Sequence, residues 1–515
     1  MRFIRLWMDG SLFFRGIGAL LDFTARLFAG SFIANGFAGD VNINYLTHSR
    51  YVSLIKFIFN RIPKVINVPE RWPKKISSYA NGSFAVSLAA HAAGQNIPLP
   101  FESGRTKIFE KSLSVIKWIA AVLPVWGTVS VLFFAPFLPT MALAAIVAAS
   151  LVAALLSREI IVDATAAALL FFIAVTIICG FASLAPASSI PIAVLSSLLI
   201  MSYILVISCI RTKKTVDIMF FLFAVSAAAA GIAGLYQFFF GRNDARWLDN
   251  EVFDYLNLRV FSTFGNPNVY GTYLLLAVPF CAAFIFYAKK PLYKLLAAAT
   301  AALLLINLAA TYSRGCYLAL AVSALVFVLL WEKRFVVAAA AVLAAAPFVL
   351  PAAMWARLVS IVNFADMDSS TAYRVSIWQA SLRIVKDFWM TGLGQGIEAY
   401  NVAYPFYAFN AVTSPHSHNL YLQILVETGV IGLSAFIAAL AFFFRTQFTF
   451  MRRAANERDR LMSAVTVAAA VGFLFQGIFD HVFYNYRVML IFFVFLGISN
   501  AYAAVRSKGN CGHEQ

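Results

Sequence analysis

The chain has 515 residues, of which 62% are hydrophobic and 12% charged. Ordinary soluble domains carry about 45–50% apolar and about 25% charged residues, so a soluble globular enzyme and a disordered chain are both excluded and a polytopic membrane protein is expected. The net charge of +17, from 40 Lys+Arg and 23 Asp+Glu, gathers in the connections between apolar runs and not on a soluble domain with interleaved aromatics, so nucleic acid is not an expected partner.

Residues 1–117 differ from the rest, with 15 Lys+Arg against 6 Asp+Glu and no run of spanning length. The aromatic segments with spaced Arg and Lys predict helices on an anionic inner leaflet, a basic cytoplasmic or membrane-surface region. Arg2, Arg5 and Arg15 break the first apolar runs, so a cleaved signal peptide is not expected. From 118 to 505 the chain reads as an all-α transmembrane bundle. About twelve spans are expected, near 118–137, 139–156, 161–182, 189–210, 216–240, 267–287, 293–311, 316–331, 335–353, 418–443, 461–479 and 488–505. A short tail, 506–515, follows.

Alternate connections differ in charge. One set holds 16 basic residues in mostly short segments; the other holds 9, beside nine acids. The positive-inside rule makes the first set cytoplasmic, with both termini, in a cytoplasmic (inner) membrane. Two outer connections are long, 241–266 and 354–417, the second between spans nine and ten. The second contains a predicted amphipathic helix with Val375, Trp378, Leu382 and Val385 on its apolar face.

Ionisable groups at span ends are functional candidates because burying them near lipid is costly. Arg259 precedes Gly265-Asn-Pro-Asn268. Arg314 lies in Ser313-Arg-Gly315, His416 and His418 in Pro415-His-Ser-His-Asn-Leu-Tyr-Leu-Gln423, and Asp480 and His481 after the eleventh span. All fall on the outer side. Arginine suits a diphosphate because its planar fork donates paired hydrogen bonds; the alternative is an anchor to lipid headgroups. This choice also stands open for Arg374 in the long loop. A neutral histidine can take a hydroxyl proton near pH 7, which gives His418 a reading as general base beside that of an exposed loop-end residue, with His416 flanking it and facing water. Glu427, about two and a half turns further on, is expected on the opposite face and is not paired with His418.

Gly392-Leu-Gly-Gln-Gly396 follows no strand and reads as a turn, not a nucleotide loop. No metal-ligand spacing is evident, and Asp366 and Asp368 are isolated. The five cysteines are scattered without a CxxC, so no disulfide framework or zinc site is read. No metal and no cofactor are expected.

Together these motifs, with Gly392-Leu-Gly394 and Glu427-Thr-Gly-Val-Ile-Gly432, resemble the O-antigen ligase and O-antigen polymerase superfamily of bacterial membrane proteins over about 200–500. The resemblance implies a twelve-span bundle with a large outer loop between spans nine and ten. It implies transfer of a glycan from a polyprenyl diphosphate carrier to a hydroxyl of a glycan, glycolipid or protein acceptor, without nucleotide or metal. By position, Arg259 and Arg314 would grip the diphosphate and His418 would activate the acceptor; Arg374, His416 and His481 are further substrate-loop candidates. The 117-residue basic region departs from the family pattern. A transporter of a small anion is the alternative from another class, and a non-catalytic scaffold of envelope assembly a third.

Overall fold

The computed structural model describes residues 122–157, 160–241, 259–331, 369–408 and 414–511. The chain divides into two units at Leu113–Ser114, and every described residue belongs to the second. The basic region 1–117, the ninth expected span at 335–353, Asp366 and Asp368 lie outside the described residues, as does the outer loop before Ser369.

All described elements are helical. They are α1 Val122–Phe134, α2 Thr140–Ser157, α3 Ala164–Phe181, α4 Pro186–Ile200, α5 Ser202–Cys209, α6 Lys213–Phe240, α7 Pro267–Tyr287, α8 Pro291–Ala310 and α9 Arg314–Trp331. Then come α10 Ser369–Phe388, α11 Ile397–Ala403, α12 Leu420–Arg453, α13 Glu457–Gln476 and α14 Tyr486–Cys511. Eight spans among the described residues are long and apolar enough to cross a membrane: α3, α4 with α5, α6, α7, α8, α9, α12 and α14. This makes the chain a multi-pass membrane protein. Of the expected first span, residues 118–121 lie outside the described residues; the described part, Val122–Phe134, is helical up to the turn at Pro136 and Pro139. At the eleventh, Glu457-Arg-Asp-Arg460 opens α13 and dilutes its apolar character.

Local chemistry starts these helices where the sequence changes from polar to apolar. Asp163, Thr212, Asn266, Asn419 and Asn456 each accept a hydrogen bond from a backbone N–H of the first turn that follows. These caps satisfy donors that the helix leaves open. Pro186, Pro267 and Pro291 stand at first-turn positions, where their missing N–H has no intrahelical partner to lose.

The starts of α7, α9, α12 and α14 and the end of α13 meet at one end of the bundle. Leu420 N–H donates to the Gly477 carbonyl at 2.7 Å. Cys316 Sγ approaches the Asn268 carbonyl at 3.8 Å. Arg487, at the start of α14, donates to the carbonyls of Pro136 and Thr263 at 3.0 and 2.8 Å. Gly315 lets α9 lie against α13, since a Cβ there would fall 2.4 Å from Gln476 Oε1.

α12 is broken at Gly429, whose φ of 64° and ψ of −172° leave the helical region. An extended strap, 389–396, fills the break. Val430 N–H donates to the Trp389 carbonyl at 2.7 Å. Leu393 N–H and Gly394 N–H donate to the carbonyls of Val426 and Glu427 at 2.8 and 3.1 Å. The glycine run is therefore the backbone partner of a broken helix and more than the surface turn expected. The amphipathic helix α10 forms as predicted but buries a different stripe. Ile377, Ala380, Ser381 and Ile384 are enclosed, with Leu393, Tyr400 and Val426 in the same apolar cluster. Leu382, on the predicted apolar face, is 51% exposed.

Gly429 is predicted to resist substitution for two reasons at once: its positive φ, and a Cβ position 2.4 Å from the Met390 carbonyl oxygen. Gly265 also has a positive φ, of 75°, but nothing lies within 4 Å of its Cβ position. Gly429→Ala should therefore lower the thermal midpoint of detergent-solubilised protein well below that of Gly265→Ala, which carries only the conformational penalty of about 1–2 kcal/mol.

Candidate active site

His418 does not begin the helix. It precedes the capping Asn419 and adopts φ 49°, a conformation uncommon for a residue with a side chain. Its Nδ1 lies 3.1 Å from Asp480 Oδ1. That oxygen also accepts the His481 N–H at 2.9 Å. Burial alone would raise the Asp480 carboxyl. The hydrogen bond and charge of His418, followed by the charges of Arg374 and His416, outweigh burial and hold it well below the usual carboxylate range. An ionised carboxylate only accepts, so Nδ1 of a neutral His418 must donate, and the lone pair falls on Nε2. This is the tautomer a general base requires.

His416 corrects the expectation that it faces water. It is 6% exposed, with its ring centroid 4.2 Å from that of His418, 5.4 Å from His481 and 4.7 Å from Tyr484. Its Nδ1 accepts the His418 N–H at 3.2 Å. Burial, and then the charge of His418, push its pKa down to about 4. Burial also drives His481 well below the ordinary imidazole value, and its Nδ1 is enclosed without a hydrogen-bond partner. Tyr373 on α10 packs edge-on to His418 at 5.8 Å. The neighbouring Arg374 is half-buried, and its charge acts on Asp480.

Arg259 is anchored nearby. Its Nε donates to the Thr311 carbonyl at 2.9 Å and its Nη2 to Asn268 Oδ1 at 3.1 Å. Thr311 belongs to the turn that leads into Arg314, the first residue of α9. Both arginines therefore hang on one α8–α9 turn, which Tyr312 bends with φ 50°. The Cys316 thiol lies 3.8 Å from the Asn268 carbonyl, and Gly315 abuts Gln476, whose carbonyl accepts the Asp480 N–H at 3.1 Å, so the arginine and histidine groups share one end of the bundle. The Gly265–Asn268 motif divides its work: Asn266 caps α7, Pro267 starts it and Asn268 orients Arg259.

Glu427 makes no direct bond with His418, as expected, but it is connected to the histidine loop. Its Oε1 accepts from Gly396 N–H at 3.2 Å and Gln423 Nε2 at 2.9 Å; Gln423 Oε1 accepts the Ser417 N–H at 2.7 Å. The sequence singled out Asp480 as an ionisable residue on the right side without giving it a role; its position beside His481 was the available signal. Gln423 stood in the histidine motif without a role, because a glutamine in a span reads as tolerated polarity.

His416, His418 and Asp480 each offer a ligand atom within 4.8 Å of the others, a spacing a divalent cation could bridge. A cation between His418 Nδ1 and Asp480 Oδ1 would displace the hydrogen bond that joins them.

Residues 299–437 match the O-antigen ligase family (Wzy_C). The match includes Arg314, Arg374, His416 and His418 and ends before Asp480 and His481. This match supports the superfamily that the chain's motifs resemble and, in general terms, glycan transfer of the ligase or polymerase type. No curated protein is matched by the chain.

The histidine environment predicts a stability profile. An unfolded imidazole protonates near pH 6.5, whereas folded His416 does so only at about 4. Between those values the unfolded state binds more protons, so stability falls as pH drops from about 6.5 to about 4. His481 acts in the same direction, while the Asp480 carboxylate loses its contribution only below the ordinary carboxylate range. His416→Asn, which keeps an acceptor for the His418 N–H, should flatten the pH dependence of the thermal midpoint in that window without abolishing it.

Proposed function

We propose that this protein transfers a glycan from a polyprenyl diphosphate carrier to an acceptor hydroxyl on the outer face of the cytoplasmic membrane. The observation that carries this reading is the Asp480–His418 pair, with Arg259 and Arg314 at the same end of the bundle. His418 Nε2 takes the proton of the acceptor hydroxyl. The oxygen attacks the anomeric carbon, the bond from that carbon to the diphosphate breaks, and the lipid diphosphate departs with its electron pair. Direct attack inverts the anomeric configuration. Arg259 and Arg314 hold the diphosphate and stabilise the charge that develops on it. Asp480 keeps the imidazole in its working tautomer and stabilises the imidazolium that forms. Arg374, His416 and His481 wall the site. The chemistry needs neither nucleotide nor metal.

The charge asymmetry of the connections supports the orientation, with both termini, the region 1–117 and the tail 506–515 in the cytoplasm, and 354–417 outside. The break in α12 is a feature that transporters use at ion sites. Here it is filled by the backbone of 389–396 and not by a cavity lining, which favours the enzyme over a carrier of small anions.

A strain lacking the protein should accumulate carrier-linked glycan: polymer if it is a ligase, single repeat units if it is a polymerase. In proteoliposomes supplied with that material and an envelope extract as acceptor, His418→Ala should slow release of polyprenyl diphosphate by roughly 10²–10⁴-fold, the usual worth of a positioned base. Arg314→Lys should lose most turnover, since a point ammonium cannot reproduce the two-pronged contact. A chelator should leave the rate unchanged. Native rates in both variants would remove these residues from the site, and loss with chelator reversed by a divalent cation would make His416, His418 and Asp480 a metal centre.

A further inference from the structure

The hydrogen bonds leading away from His418 form one line. Ser417 N–H donates to Gln423 Oε1 at 2.7 Å, Gln423 Nε2 donates to Glu427 Oε1 at 2.9 Å, and Gly396 N–H donates to that same Glu427 oxygen at 3.2 Å. Ser417 is wholly buried and stands between the two site histidines; Gln423 is 1% exposed. The Ser417–Gln423 bond is closed to water, while Glu427 and Gly396 are partly exposed, so the inner bond is worth more than a surface one and orphaning its partner costs more. His418 itself sits at φ 49°, a conformation that persists only where its surroundings hold it. The Asp480 bond fixes the ring. The Ser417 N–H fixes the backbone from which the ring projects.

From this line we infer that Gln423 and Glu427 are positioning residues for His418, and that they make its placement depend on the seating of the 389–396 strap. The inference rests on the proposed base role of His418. Gln423 is the coupler because its amide has two ends: the oxygen serves the histidine loop and the nitrogen serves Glu427. Glu427 is the junction because its backbone carbonyl receives Gly394 N–H while its carboxylate receives Gly396 N–H. Gly392 is part of the seat, since its Cβ position lies 2.4 Å from the Glu427 carbonyl carbon and oxygen. Neither side chain is assigned contact with donor or acceptor. A base displaced by about 1 Å can lose on the order of 10²-fold in rate, so the effect should be on kcat and not on donor KM.

The test measures release of polyprenyl diphosphate from carrier-linked glycan by Gln423→Leu, Glu427→Ala and Glu427→Gln, with His418→Ala in the same membranes. Gln423→Leu and Glu427→Ala should lower kcat roughly 10–100-fold at unchanged donor KM. Glu427→Gln, whose amide oxygen still accepts both bonds, should recover most of the rate. The decisive comparison is Gln423→Leu in a His418→Ala background. If Gln423 acts only through His418 it should add no further loss there, whereas independent effects would multiply. Native kcat in Gln423→Leu and Glu427→Ala, a multiplied loss in the double variant, or failure of Glu427→Gln to recover would each overturn the inference while leaving His418 as base. A native rate for His418→Ala would instead remove the base reading and this inference with it. Should Gln423→Leu not accumulate in the membrane, Glu427→Ala with Glu427→Gln breaks and restores the same line one bond further out.

Discussion

A helix that breaks inside a membrane leaves N–H and C=O groups that lipid cannot satisfy, and the whole site is arranged around how this chain satisfies them. α12 opens at Gly429, and the strap 389–396 supplies the missing partners from its own backbone. That pairing ties the segment between α10 and α11 to the span. It places α10, which carries Tyr373 and Arg374, beside the histidine loop. Through Glu427 and Gln423 it also reaches Ser417.

The electrostatics of the site follow from burial. Three imidazoles and one carboxylate share the end of the bundle. His416 and His481 are kept neutral because protonating an enclosed imidazole is costly, and Asp480 is kept ionised because His418 and Arg374 face it. The acidic partner thus goes to one histidine alone. His418 differs from its neighbours by this bond and by the backbone bend that presents it. Among the three imidazoles, the ring bonded to the Asp480 carboxylate is that of His418.

Much of this was legible in the residues. Apolar runs of spanning length located the spans α3 to α9, α12 and α14, because membrane thickness sets how long such a run must be. The residues that the charge pattern groups together, Arg259, Arg314, His418, Asp480 and His481, lie at one end of the bundle. What stayed hidden depends on tertiary approach. His416 reads as exposed until Tyr484 and His481 close over it. The role of Gly392 and Gly394 is invisible without the break at Gly429, since a glycine run alone does not say which backbone it will meet. Gln423 is the clearest case, as its two-ended amide has meaning only once both of its partners are in place.

The claim at the centre is that Asp480 sets the tautomer of His418. Asp480→Asn tests it most directly, because the asparagine keeps the shape while its amide can donate to Nδ1 and move the imidazole proton to Nε2. The account predicts that release of polyprenyl diphosphate slows by roughly 10²–10⁴-fold, matching His418→Ala, with donor binding and membrane content unchanged. Native turnover by a well-folded Asp480→Asn variant would contradict it.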